Sequence, residues 1–438
     1  MNSARSMLVG VAVVVFGLGA SAAETNRSRQ RFESLLNRLD EVAADAVDTA
    51  EVARLREAID AEGGQKYAWK SRLFWHTDIE EARAEARQRQ VPIISLRLLG
   101  RLTDDLSCAN SRFFRTALYA NREVSRTLRE RFVLHWSSER PVPVLTVDFG
   151  DGRSMKRTVT GNSIHYLLDA EGRPIDALPG MHGPRSFQRW LEFATAYHRQ
   201  LVAARPAVLR SEMRRQQGEW DQLLASVGRS SAAPGGAVPA VAAERLRAAR
   251  AELESLGTGA GDRAAQRAVS APVPAERAVR LAVPKMILEV GIIPHLTLAG
   301  LPAEDVKDPE FWRQLSERVL DDCRLDASSK ELIAMQRPIG PAAPATDSTG
   351  EAELAGMIDR FERNVALDTV RNRFVLQRRV RDWLLNEPMD FESLNERVYR
   401  ELFLTPRDDA YLGLLPEDVY SGLENGGLAS PPTADERQ

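Results

Sequence analysis

The 438-residue sequence predicts an α/β domain, a central mixed sheet flanked by helices, followed by a mostly α-helical domain. Three observations predict it. Apolar strand-like runs alternate with helical segments between about residues 66 and 200, a hairpin pattern closes that stretch, and the region from about 281 to 425 carries helical stretches, Phe311 to Asp322, Ala352 to Leu385 and Phe391 to Leu402.

In chain order, Trp75-His76-Thr77-Asp78 leads into a helix from Ile79 to Arg87, with Asp78 placed to cap it. Pro92 to Gly100 reads as a buried strand. A short loop follows and delivers Ser107-Cys108-Ala109-Asn110-Ser111-Arg112-Phe113-Phe114-Arg115, in which a cysteine begins a helical segment with serine three positions on. Residues 121 to 131 form an amphipathic helix, and Phe132 to Trp136 a strand. Val144 to Phe149 and Ser154 to Val159 pair around Gly150-Asp151-Gly152. Ile164 to Asp169, the turn Ala170-Glu171-Gly172 and Pro174 to Leu178 form a second hairpin. A final helix begins near Pro184, whose fixed φ suits a first helical turn.

These residues carry a resemblance to the thioredoxin-like superfamily, in particular to exported bacterial members that place a Trp, an acidic Ala-rich helix and a buried strand before a CxxC. It spans about a third of the chain. The resemblance implies that Cys108 matches the nucleophilic cysteine and Ser111 the resolving one, so that CxxC is here CxxS. It also implies that Ser163 fills the slot of the family's cis-proline. Ser107 stands where the family has a Trp, and the hairpin 144–159 stands where it has a helix. The second thiol of a CxxC releases substrate by attacking the mixed disulfide. Ser111 has no such chemistry, so if Cys108 reacts it reacts as a single thiol.

A cysteine at a helix start feels the dipole and unpaired N–H groups, which favour thiolate. Arg112 and Arg115 add to that effect, while Asp104 and Asp105 oppose it. The candidate site is therefore Cys108 and Ser111, supported by Ser107, Arg112, Ser163 and His165, with no metal ligand and no cofactor. His165 shares a strand face with Ser163 by alternation, and whether it assists a thiolate stays open. His135 and His165 are open to pairing on neighbouring strands, although their alternation with apolar residues favours ordinary sheet histidines. His76 stands at a helix entrance, and His182 and His295 read as exposed. The second cysteine, Cys323, lies in a helical-looking run and reads as a small buried hydrophobe. Three states of the two thiols stay open: bonded to each other, both buried and inert, or Cys108 free and reactive.

The amino terminus has Arg5, an apolar run from Met7 to Leu18 and the small residues Gly19 to Ala23, the three regions of a secretory signal peptide. Cleavage is expected after Ala22 or Ala23, and the mature chain is expected in the periplasm or secreted. An uncleaved anchor is the alternative, and no later segment is apolar enough for a membrane helix. The expected divisions are a signal peptide at 1–23, an N-terminal helical segment at 24–65 and the α/β domain at 66–200. A helix with Ala/Gly/Pro-rich linkers follows at 201–280, then a helical domain at 281–425 and a disordered tail at 426–438.

A formal net charge of −3 gives no reason to expect nucleic acid, and the Arg clusters at 112–126 and 371–381 read as solvated helix faces. Asp408, Asp409, Glu417 and Asp418 lack calcium-loop spacing and read as turn acids. Two functions fit. One is a redox-degenerate binding or scaffolding protein with protein partners in the cell envelope. The other is a monothiol protein forming mixed disulfides through Cys108. The sequence sets no oligomeric state.

Overall fold

The computed structural model describes residues 27–43, 50–158, 161–228, 308–336 and 348–409. The expected signal peptide, the linkers between 229 and 307, His295, Glu417, Asp418 and the tail lie outside the described residues.

Four strands form the central sheet in the order β2-β1-β5-β6. They are β1 (Ile93–Leu99), β2 (Val133–Arg140), β5 (Ser163–Leu168) and β6 (Pro174–Pro179). β2 runs parallel to β1, whereas β5 is antiparallel to both β1 and β6. All seven residues of β1 are buried, Ser95 and Arg97 among them, as befits a strand covered on both faces. The parallel β1–β2 link needs a crossover, supplied by α5 (Ala109–Phe113), one π turn (Phe114–Leu118) and α6 (Arg122–Arg131). This βαβ unit followed by an antiparallel hairpin and a helix is the thioredoxin-like arrangement. The inserted hairpin, β3 (Val144–Asp148) and β4 (Ser154–Thr158), is a separate two-stranded sheet at the predicted place.

Before the sheet come α1 (27–43), α2 (Ala50–Glu62), α3 (Ala68–Ser71) and α4 (Ile79–Arg89). Phe32, Leu36 and Leu39 of α1 join Val52, Ile59, Ala68 and Phe74 in one apolar cluster. Asp78 caps α4 as expected, accepting from Glu80 N at 2.7 Å and Glu81 N at 3.3 Å. His76 is buried and extends the sheet beside His135; its Nε2 lies 2.7 Å from Glu85 Oε2. After β6, α7 (Pro184–Ala225) runs 42 residues with a kink at Ala204, two residues before Pro206.

Beyond 308 the described residues form helices and turns: α8 (Pro309–Arg318), a 3-10 turn (Leu320–Cys323), α9 (Ala327–Met335), α10 (Ser348–Arg371), a π turn (Asn372–Leu376), α11 (Gln377–Asn386) and α12 (Phe391–Arg397). The described residues through Gly228 and those of Pro309–Leu394 form one compact unit. α11 lies against β6, and Gln377 Nε2 donates to Ala177 O at 3.2 Å. Asp326 caps α9 through Ser329 N and also accepts from Arg122 N, the first amide of α6. In the second unit, whose described residues are Asp308 and Asn395 to Asp409, a π turn over Val398–Leu402 ends with Thr405 N donating to Tyr399 O at 2.8 Å. Asp408 there pairs with Arg400 at 3.4 Å. No helix among the described residues is long and apolar enough to cross a membrane.

Two expectations about charged residues are corrected. The 371–381 cluster is not a solvated face: Arg371 and Arg381 are buried. Arg381 enters the interior because Asp176, on β6, meets it with two bonds, Nε to Oδ1 at 2.9 Å and Nη2 to Oδ2 at 2.6 Å. Trp190 Nε1 adds a third donor to Asp176 at 3.0 Å, and Arg381 Nη1 reaches Gln216 Oε1 at 3.3 Å. Burial opposes the Arg381 charge, but the adjacent Asp176 carboxylate outweighs it and holds the guanidinium pKa above its ordinary value. His182, expected to be exposed, is buried as well, because its turn is covered and Nε2 bonds Pro179 O at 3.0 Å.

Candidate functional site

The Cys-x-x-Ser motif sits directly after β1 and opens α5, the position of the thioredoxin active-site loop. The loop from Gly100 to Ser107 is pinned at both ends. Gly100 N donates to Arg140 O at 2.8 Å, and Cys108 N to Leu99 O at 3.2 Å. Gly100 has φ +75°, and a Cβ there would lie 3.3 Å from the Ser107 backbone, so glycine sets this turn. Arg115 sits in the middle of the loop rather than beside the thiol. Its guanidinium donates to Leu102 O at 3.2 Å, Asp105 O at 3.1 Å, Asp104 O and Ser107 Oγ at 3.2 Å. The carboxylate of Asp105 turns outward to Lys66.

Cys108 is the N-cap of α5 and is wholly buried. Its Sγ accepts the Ser111 N–H at 3.4 Å. Ser111 offers no attack on that sulfur. Its hydroxyl donates to Ser107 Oγ at 2.6 Å and lies 2.9 Å from Cys108 O, so the three serine and cysteine positions form a closed buried knot. Asn110, also buried, donates through Nδ2 to Ser163 Oγ at 2.8 Å. That bond brings Ser163, at the start of β5, against the first turn of α5. Arg112 leans away, donating to Thr158 Oγ1 on the inserted hairpin at 2.9 Å. Burial lowers its pKa, partly offset by Cys108 nearby.

His165 lies on the same strand as Ser163 but is committed elsewhere. Its Nε2 is 2.7 Å from Tyr119 OH, and its ring packs edge-on against Phe114 at 4.6 Å and Phe187 at 5.0 Å. Burial, reinforced by His182, pushes the imidazole down to about 3, and burial raises the Tyr119 phenol well above its usual value. Both groups are therefore neutral across the physiological range, and the imidazole holds a tyrosine rather than a thiol. The pairing of His135 with His165 does not occur. β1 separates their strands, with His135 opposite Ser95 and His165 opposite Leu96, so the two rings point to opposite faces of the sheet. His135 Nδ1 instead meets Ser95 Oγ at 2.8 Å, and burial pushes its pKa down to about 3.

Cys323 lies outside this cluster. It is buried in the 3-10 turn, its Sγ is 3.5 Å from Thr369 Oγ1, and burial pushes its thiol up to about 12. Both cysteines are free, so they are not bonded to each other. The fold thus keeps the cysteine but lacks a redox pair, and the site is degenerate. Among the described residues no group of three or more His, Cys, Asp or Glu side chains is placed to hold a metal ion.

Asn110, Arg115 and Tyr119 complete this cluster. Asn110 was within reach of sequence reasoning as the middle of the motif. Tyr119 was not, because nothing local links it to a histidine 46 positions away. No protein-family model, no curated protein and no solved structure matches the chain.

Proposed function

We propose that this chain is a redox-degenerate thioredoxin-fold protein that acts by docking other proteins in the cell envelope, after export to the periplasm or beyond. The observation that carries the reading is the state of Cys108: wholly buried, with the hydroxyl at the resolving position committed to Ser107. A nucleophile needs access and an activated thiolate, and this sulfur lacks the first. The export part rests on the Arg5 to Ala23 pattern alone. Mass measurement of the mature amino terminus checks it, with a start at Ala23 or Glu24 expected.

The test of the docking reading uses a Cys323→Ala variant, so that a single thiol reports. Alkylation of Cys108 should be slower than that of a denatured control by ~100-fold or more, the order expected when reaction waits on local opening. Reduction of a disulfide substrate should not depend on Cys108. Cys108-dependent turnover would refute the reading.

The monothiol reading has one specific observation in its favour, the Ser111 N–H directed at Sγ, which is how a helix start stabilises a thiolate. It predicts rapid labelling with a depressed alkylation pKa, and covalent adducts that disappear in Cys108→Ser.

A further inference from the structure

A groove of about 790 Å³ opens on the face bounded by α1, α2, α3 and α6, away from Cys108. Six cationic side chains line it: Arg56, Lys70, Arg72, Arg122, Arg126 and Arg129. Only two carboxylates, Asp40 and Glu123, line it with them, a surplus of four positive charges in a protein whose formal net charge is −3. Arg72 is engaged by Asp40 and Lys70 by Glu331 at 2.6 Å. Among the described residues Arg56, Arg122, Arg126 and Arg129 form no ion pair, and Arg56 Nε is buried without a hydrogen-bond partner.

The cations are held rather than scattered. Arg122, Arg126 and Arg129 fall at i, i+4 and i+7 on α6, so they share one stripe while Val124 and Leu128 face the core. The stripe runs about 10 Å at the helical rise. Across from it, the Arg56 guanidinium lies over the Trp69 ring, 4.3 Å from its centroid, and Arg129 Nη1 donates to Ser71 O at 3.2 Å. Burial chiefly depresses the Arg129 pKa, with smaller contributions from Arg72 and Arg126 that Glu130 partly offsets.

We propose that this groove binds an acidic segment of a partner protein. The length of the stripe favours an extended anion over a lone phosphate. Asp40 and Glu123 interrupt the positive surface and disfavour a uniformly charged chain such as polyphosphate or a nucleic-acid backbone. Leu39 and Ala43 give apolar wall for the uncharged residues of a polypeptide. The inference deepens the docking reading and rests on it, yet it concerns a face that Cys108 does not share, so the two fail separately: labelling of Cys108 decides one, the groove variants the other.

The probe is a fluorescein-labelled twelve-residue peptide alternating Glu pairs with Ala-Leu pairs, its Gln-for-Glu counterpart as control, titrated by anisotropy into the full chain. Binding of the Glu peptide but not the Gln peptide is expected. It should weaken at least ~10-fold in Arg126→Glu/Arg129→Glu and by a similar factor between low and 0.3 M salt, roughly, as screened charge contacts do. The milder Arg126→Gln/Arg129→Gln variant guards against misfolding, with circular dichroism as the check. Arg153→Glu, on the exposed hairpin, should leave binding unchanged. No binding to the Glu peptide, equal binding by the groove variants, or tighter binding of short polyphosphate through the same arginines would each overturn the proposal.

Discussion

Replacing Arg381 by Met tests the buried ion pair that ties β6 to α11. The substitution keeps most of the side-chain volume but leaves the Asp176 carboxylate, which is wholly buried, with one of its three donors, Trp190 Nε1. Two charge-assisted bonds, at 2.9 and 2.6 Å, are lost, and the Gln216 amide oxygen loses a contact at 3.3 Å. Removing one partner of a buried pair costs about 3–5 kcal/mol, mostly because the other charge stays desolvated and alone. For a unit of this size that corresponds to a fall in Tm of roughly 6–20 °C. The assay is urea unfolding followed by tryptophan fluorescence, since Trp190 reports from beside the pair. Asp176→Asn combined with Arg381→Met should recover at least half of the loss, because no charge is then stranded. An Arg381→Met variant within about 1 kcal/mol of the parent, or a double variant as poor as the sum of the singles, would show that the pair is not what holds this edge.

Three further outcomes follow from the same reasoning. His135 and His165 have folded-state pKa values lowered to about 3 from 6.5, so the unfolded chain takes up their protons first; stability should be full above pH 6.5 and decline toward pH 3, by up to about 3 kcal/mol per histidine at pH 4. Urea midpoints measured against pH check this, with a shallower decline in His165→Gln, and a flat profile from pH 6.5 to 4.5 would contradict it. Gly183→Ala should destabilise by about 1–3 kcal/mol, because its Cβ would fall 2.6 Å from Asp322 O and 2.5 Å from Cys323 Sγ. Gly218→Ala, in α7 with nothing within 4 Å, should instead stabilise by about 0.5–1 kcal/mol, and thermal melts of the pair separate packing from helix propensity. Arg115→Met should free the Gly100–Ser107 loop from its buried guanidinium and raise the alkylation rate of Cys108 by at least ~10-fold, corresponding to about 1.4 kcal/mol of loop stability.

The strands, the inserted hairpin and the Asp78 cap were legible in the sequence because each depends on near neighbours. Asp78 reaches amides two and three residues on, and Gly150 and Gly152 both take positive φ in the hairpin turn. Cys108 at the start of α5 was legible for the same reason. Its inaccessibility was not, since it depends on Arg115 gathering loop carbonyls and on Asn110 reaching Ser163, 53 residues away. The arginines show the limit most plainly. Arg381 and Arg126 sit in helices of similar composition, yet one is buried against Asp176 and the other is exposed, and only the carboxylate 205 residues earlier in the chain distinguishes them. Helical periodicity reports which residues share a face, not what that face meets.

The Asp176–Arg381 bond also has a bearing on the order of synthesis. The carboxylate is made 205 residues before the guanidinium that neutralises it. At ordinary translation speeds of 5–20 residues per second that is a wait of roughly 10–40 s. Throughout it, the β6 edge carries a charge with no counter-ion and an apolar flank with no cover. A nascent chain in that interval is a natural client for a chaperone, and a fragment ending near residue 228 is the same unfinished molecule made permanent.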